Sequence, residues 1–174
     1  MKPKVIFIPG NGGGRTDQEW FPWLQTELEK LGCEVISPGE YPDSIVARMS
    51  AWLPFIESFE TDENTILVGW SSGALAAMRY AETHKILGSV LIAPCHTDLG
   101  LQSEKESGYY DAPWEWEKIS SNQKWIIQFS STTDPFIPIA DYNGVLVGYY
   151  TMYTYEIYLS VVDANFQAAD LSDL

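Results

Sequence analysis

The sequence predicts an α/β fold: a three-layer α/β/α sandwich around a mostly parallel sheet. Three observations carry this. Short β-branched runs alternate with stretches of helical apolar spacing. Loops rich in glycine or proline follow the runs. A Gly-x-Ser-x-Gly turn joins one run to an alanine-rich helix. Alternation of this kind places helices on both faces of a parallel sheet.

Residues 4–8 (KVIFI) read as a buried strand stopped by Pro9-Gly10. Thr16 and Glu19 fit a capping box ahead of a helix whose stripe is Trp20, Leu24, Leu28 and Leu31. Residues 34–37 (EVIS) form a second strand. Ile45, Met49, Trp52 and Ile56 mark a second amphipathic helix. Residues 65–68 (TILV) form a third strand, and 73–84 an alanine-rich helix. Residues 89–93 (SVLIA) and 124–129 (KWIIQF) are further strands, with a short helix expected over 114–119. The loops 9–16, 69–73, 94–113 and 130–138 all follow strands, so they should converge at one end of the sheet, where such folds bind ligands.

With 174 residues and no linker or repeat, the chain reads as one domain. After Pro138 the pattern changes, and residues 139–174 form an atypical tail. Residues 145–162 have strand composition, compatible with a hairpin opened by Asn143-Gly144, where the alternation calls for a helix. Without a last strand and helix, one sheet edge would stay uncovered and stability would be low. Charge changes at the same place. The net −14 divides into −8 over residues 1–124 and −6 over residues 125–174, which hold no Lys, Arg, His or Cys. An acidic surface repels phosphate backbones and anionic lipid, so neither nucleic acid nor membrane is an expected partner. Two distant cysteines, no signal-like start and no long apolar run suggest a cytoplasmic protein.

The strongest motif is Gly69-Trp70-Ser71-Ser72-Gly73. A serine flanked by glycines at two positions either side, between strand and helix, suits a nucleophile elbow. The Ser72 N–H and the helix terminus would then face a developing oxyanion. A tight turn with an idle serine is the alternative. The loop Pro9-Gly10-Asn11-Gly12-Gly13-Gly14 is neither a dinucleotide fingerprint, because Arg15 stands where glycine is needed, nor a phosphate loop. It can supply a second oxyanion donor, the Asn11 N–H, or serve only to let a helix pack. Asp134, before Pro135 at a strand end, fits the acid of a Ser–Asp–His order, or an ordinary Asp-Pro turn. That order then requires a histidine, and none follows Asp134. His84 reads as a helix-end residue. His96 lies in a loop at the ligand end, where it could reach Ser71, pair with Cys95, or join Asp98 in a metal site short of ligands.

These residues resemble the retinoblastoma-binding protein nine family of small serine hydrolases, over residues 3–138. The resemblance rests on PGNGGG (9–14), WLPF (52–55), GWSSGALAAMRYAETH (69–84), TDLG (97–100), SGYYDAPWEWEKI (107–119) and DPFIP (134–138). It implies an α/β-hydrolase-like fold, Ser71 as nucleophile, Asp134 as triad acid, and no metal or other cofactor. The implied substrate is a small carboxylic ester or amide, and Trp70, Phe136 and Trp114 suggest a partly apolar pocket. Two departures stand out. The family's catalytic histidine lies in a Gly-His-Phe-Gln loop, and the nearest echo here is Ala164-Asn165-Phe166-Gln167, with Asn165 at the histidine position. An amide cannot act as a general base, so weakened activity is expected, or else an inactive pseudo-hydrolase or truncated variant acting, if at all, as a binding module. The mammalian relative's L-x-C-x-E motif for retinoblastoma protein is replaced by Phe59-Glu60-Thr61-Asp62-Glu63, so that partner is not expected.

Overall fold

A computed structural model describes residues 2–131, 134–138, 140–141 and 157–161, the last span by its backbone alone. The elements in chain order are β1 (Lys4–Ile8), α1 (Phe21–Lys30), β2 (Glu34–Ile36), α2 (Met49–Glu57), β3 (Thr65–Trp70), α3 (Ser72–Ala81), β4 (Gly88–Ile92), α4 (Gln102–Ser107), α5 (Trp116–Ser121), β5 (Trp125–Ser130) and β6 (Ile157–Val161). Among the described residues, six strands form one sheet in the order β2-β1-β3-β4-β5-β6, and these neighbours all pair in parallel.

Alternate residues of β1 feed two cores, as a pleated strand requires. Ile6 and Ile8 pack with Leu67, Leu91, Trp52 and Ile56 and with α3. Val5 and Phe7 pack with Val68 and Phe21, against Leu24 and Leu28 of α1. The sheet therefore lies between α1 on one face and α2, α3 and α5 on the other. All ten residues of α3 are buried, because its glycine and alanines let the backbone lie close on the sheet. Among the described residues, no helix is long and apolar enough to cross a membrane.

The chain passes from β1 to β2 on one side and then returns to β3 on the other. Strand order reverses there, which opens a crevice beyond the carboxyl ends of β1 and β3. The glycine loop and Ser71 follow those two strands.

Several sequence expectations are corrected. Helix α1 begins at Phe21 with Trp20 as an uncapped N-cap and a proline in its first turn; Thr16 and Glu19 form no capping box. The buried Thr16 hydroxyl is occupied elsewhere, accepting from Gly39 N (2.8 Å) and Ser37 Oγ (3.0 Å). Leu31 falls off the apolar stripe and is 81% exposed, since α1 has already ended and Gly32 turns the chain at φ 87°. Ile45 is also exposed, because Arg48 is extended and α2 starts only at Met49. Helix α4 forms inside a stretch read as loop. At the far edge β6 pairs in parallel with β5, so the condition for an uncovered β5 edge is not met. Asn143-Gly144 and most of the tail lie outside the described residues.

Candidate active site

Ser71 sits between β3 and α3 at φ 54° and ψ −118°. A non-glycine residue there stores about 1–3 kcal/mol of strain, which persists only where its surroundings hold it. Ser71 N donates to Ile92 O (2.8 Å), and Ser71 O accepts from Ala74 N (2.8 Å) and Leu75 N (3.3 Å). The flanking glycines are sterically required. A Cβ on Gly69 would overlap Gly73 O, and one on Gly73 would stand 2.5 Å from Pro9 O and closer still to Ile8 O. The turn is thus pressed between β1 and α3. The half-buried Ser71 hydroxyl has no hydrogen-bond partner among the described residues.

The glycine loop lies beside it. A Cβ on Gly10 would rest 3.5 Å from Ser71 Cβ. The loop tip is held from one side by Gly12 N to Ile45 O and Gly13 N to Ser44 O, both 3.0 Å. From the other side, Asn11 Nδ2 donates to Glu104 Oε1 at 2.9 Å. Among the described residues, the backbone N–H groups of Asn11 and Ser72 have no protein acceptor. Ser72 opens α3, so its N–H has no acceptor within the helix.

Asp134 stands on the loop after β5, at the same end of the sheet. Its Oδ1 accepts from Phe136 N (2.8 Å) and Ile137 N (2.9 Å), an Asx-type turn across Pro135. Phe136 is 80% exposed. Trp70 instead packs edge-on against Trp20 on the α1 side of the sheet. Trp114 lines an open groove of about 480 Å³ together with His96, Asp98, Tyr110 and Asp111.

Neither histidine hydrogen-bonds Ser71. His84 stacks on Tyr80 with ring centroids 4.0 Å apart, and its Nδ1 lies 2.8 Å from Thr83 Oγ1, a helix-end role. His96 Nδ1 is 2.9 Å from Asp141 Oδ1, which also accepts from His96 N at 2.5 Å and Thr97 N at 3.2 Å. Asp141 Oδ2 takes the Thr97 hydroxyl. Sequence spacing held no signal for this pairing of residues 45 positions apart. Asp98 turns back on Gly100 N (2.8 Å), and among the described residues no three His, Cys, Asp or Glu side chains converge as metal ligands. Asn165 lies outside the described residues.

Cys95 is no partner for His96 in nucleophilic chemistry. Its thiol is buried 3.0 Å from the Tyr110 hydroxyl. Burial pushes it up to about 12 against a lowering by the Tyr110 hydroxyl, and the carboxylates of Glu104, Asp141 and Asp134 each add a lesser rise. The Cys95 thiol thus stays protonated near neutral pH. In the native protein, iodoacetamide should therefore modify the half-buried Cys33 and leave Cys95 untouched until the chain is unfolded. Peptide mass mapping checks this, and native modification of Cys95 would show that its pocket opens.

A parallel sheet reversing at β1, with a strained serine after the next strand and a glycine loop against it, is the α/β-hydrolase arrangement. Solved structures share the fold. The ydeN gene product from B. subtilis matches with a TM-score of 0.76 at 22% identity, over 91% of this chain and 84% of that one. Alpha/beta hydrolase domain-containing protein 10 from mouse matches with a TM-score of 0.65 at 16% identity, over 95% and 83%. No family model matches the sequence. Serine hydrolase RBBP9 of Rattus norvegicus is 47% identical over 137 residues, 78% of this chain and 74% of that protein. The chain belongs to the RBBP9 family of small serine hydrolases.

Proposed function

We propose that the protein hydrolyses small carboxylic esters or amides through an acyl-Ser71 intermediate, at a rate limited by the lack of a triad histidine. The observation that supports this most is Ser71 itself, strained at φ 54° and clamped by two glycines that admit no side chain. In this reading Ser71 Oγ adds to the substrate carbonyl, while the Asn11 and Ser72 N–H groups stabilise the oxyanion. The alcohol or amine leaves with a proton, and water releases the acid. Asp134 is the triad acid. The Ser71 proton has no histidine acceptor after Asp134 and passes to solvent. Triads lacking a member retain roughly 10³–10⁴-fold catalysis over water. The acidic surface favours small-molecule substrates over nucleic acid or membrane, and two free cysteines support a cytoplasmic setting.

A second reading, a silent hydrolase fold used as a binding module, is favoured by one observation: His96 is committed to Asp141 and has no bond to Ser71. A fluorophosphonate probe separates the two. Slow labelling of the wild type that Ser71→Ala abolishes is expected, and Asn165→His should speed it if Asn165 occupies the triad position. An unlabelled wild-type protein would overturn the hydrolase reading.

A further inference from the structure

Glu104 is 9% exposed, on the short helix α4. Among the described residues, no lysine or arginine pairs with it. Its side-chain partner is Asn11 Nδ2, at 2.9 Å and 93 residues away in sequence. Burying a carboxyl without a cation is costly, and here the compensating contact found among the described residues is to the loop that lies against Ser71. We propose that Glu104 is a positioning residue of the Ser71 site: its carboxylate grips the Asn11 side chain and so aims the Asn11 N–H at the oxyanion position. This rests on the hydrolase reading given above.

The choice of glutamate over an uncharged acceptor has a consequence with pH. The groups around it are Asp98 on the loop after β4, together with Cys95, Tyr109 and Tyr110, which feel its charge. Desolvation first, then Asp98, raise the Glu104 ionisation above the ordinary glutamate range, against a lowering by Asn11. A proton is therefore bound more readily in the folded than in the unfolded state. The stability this group confers is full at acid pH and is lost as pH rises through the Glu104 ionisation. The grip on Asn11 changes in the opposite sense, because a charged acceptor holds an amide N–H more strongly than a neutral one. Glu104→Gln keeps an acceptor and removes the ionisation. It should equal the wild type at acid pH and be the more stable at neutral pH.

The test follows hydrogen exchange of residues 9–14 alongside the rate of fluorophosphonate labelling at Ser71. Glu104→Ala should raise exchange of the loop about tenfold or more, the loss of one charge-assisted hydrogen bond, and slow labelling by a similar factor. Glu104→Gln should restore most of both, and its loop exchange, taken relative to the intrinsic amide rate at each pH, should lack the rise expected of the wild type as pH falls through the Glu104 ionisation. Loop exchange in Glu104→Ala equal to the wild type overturns the proposal. So does a looser loop with undiminished labelling. If Glu104→Ala does not fold, Asn11→Ala removes the same bond from its other end and is read in the same way. A wild-type protein that takes no label sinks the hydrolase reading alone, and the exchange of residues 9–14 still decides the tether.

Discussion

Gly73→Ala should cost the fold about 3 kcal/mol or more, the upper range for overpacking, and abolish Ser71 labelling with it. Most alanine substitutions of an exposed helical glycine stabilise, since alanine is the better helix former by about 1 kcal/mol. Gly73 reverses that sign. Its Cβ would enter the carbonyl oxygens of Ile8 and Pro9, and both are backbone at the end of a buried strand, unable to rotate aside. Either α3 lifts from the sheet or β1 shifts. Each movement reaches Ser71, whose backbone hangs between Ile92 O and the first turn of α3. For a chain of this size the melting temperature should fall by roughly 6–12 °C. A variant melting within about 2 °C of the wild type would mean that α3 has room the structure does not show.

Arg79→Met should be comparably damaging, by about 3–5 kcal/mol, because it leaves a buried charge network without its cation. Arg79 is only 5% exposed. Its guanidinium donates to Tyr109 O (2.9 Å from Nε, 2.5 Å from Nη2), Ala112 O (2.6 Å) and Pro113 O (3.1 Å). It pairs with Glu82 at 2.7 Å and lies 3.8 Å from the Trp114 ring centroid. This one planar fork thus ties α3 to the segment 109–114, which carries one wall of the His96 groove. Methionine fills the space but leaves three carbonyls without their donor and the mostly buried Glu82 without its cation, holding only the Glu115 N–H at 3.0 Å. Lysine should rescue little, since a single ammonium cannot reach acceptors spread around a guanidinium plane. Urea midpoints decide the point, and a wild-type midpoint for Arg79→Lys would show that charge alone suffices.

The regular elements were legible where local pattern and final environment agree. KVIFI is buried on both faces in a parallel sheet, so an unbroken apolar run is the right signal for β1. The Ser71 turn was legible because close approach admits no residue but glycine at positions 69 and 73. Helix α4 was not. Its sequence QSEKES has no apolar stripe, and the two residues it buries are Glu104 and Ser107. The capping box at Thr16 failed because the hydroxyl found partners 21 and 23 residues away, at Ser37 and Gly39.

By itself, then, the sequence determined the strand–helix alternation, the strained serine between glycines, the glycine loop after the first strand and the lack of a histidine beyond Asp134. These are properties of neighbouring residues, and backbone sterics translate them directly. Only the tertiary structure decided that His96 belongs to Asp141, that Glu104 holds Asn11 and that Arg79 staples residues 109–114. Those contacts span about 30 to 93 residues. Each depends on which way a side chain leaves its backbone once the sheet has assembled, and no spacing within the chain encodes that direction.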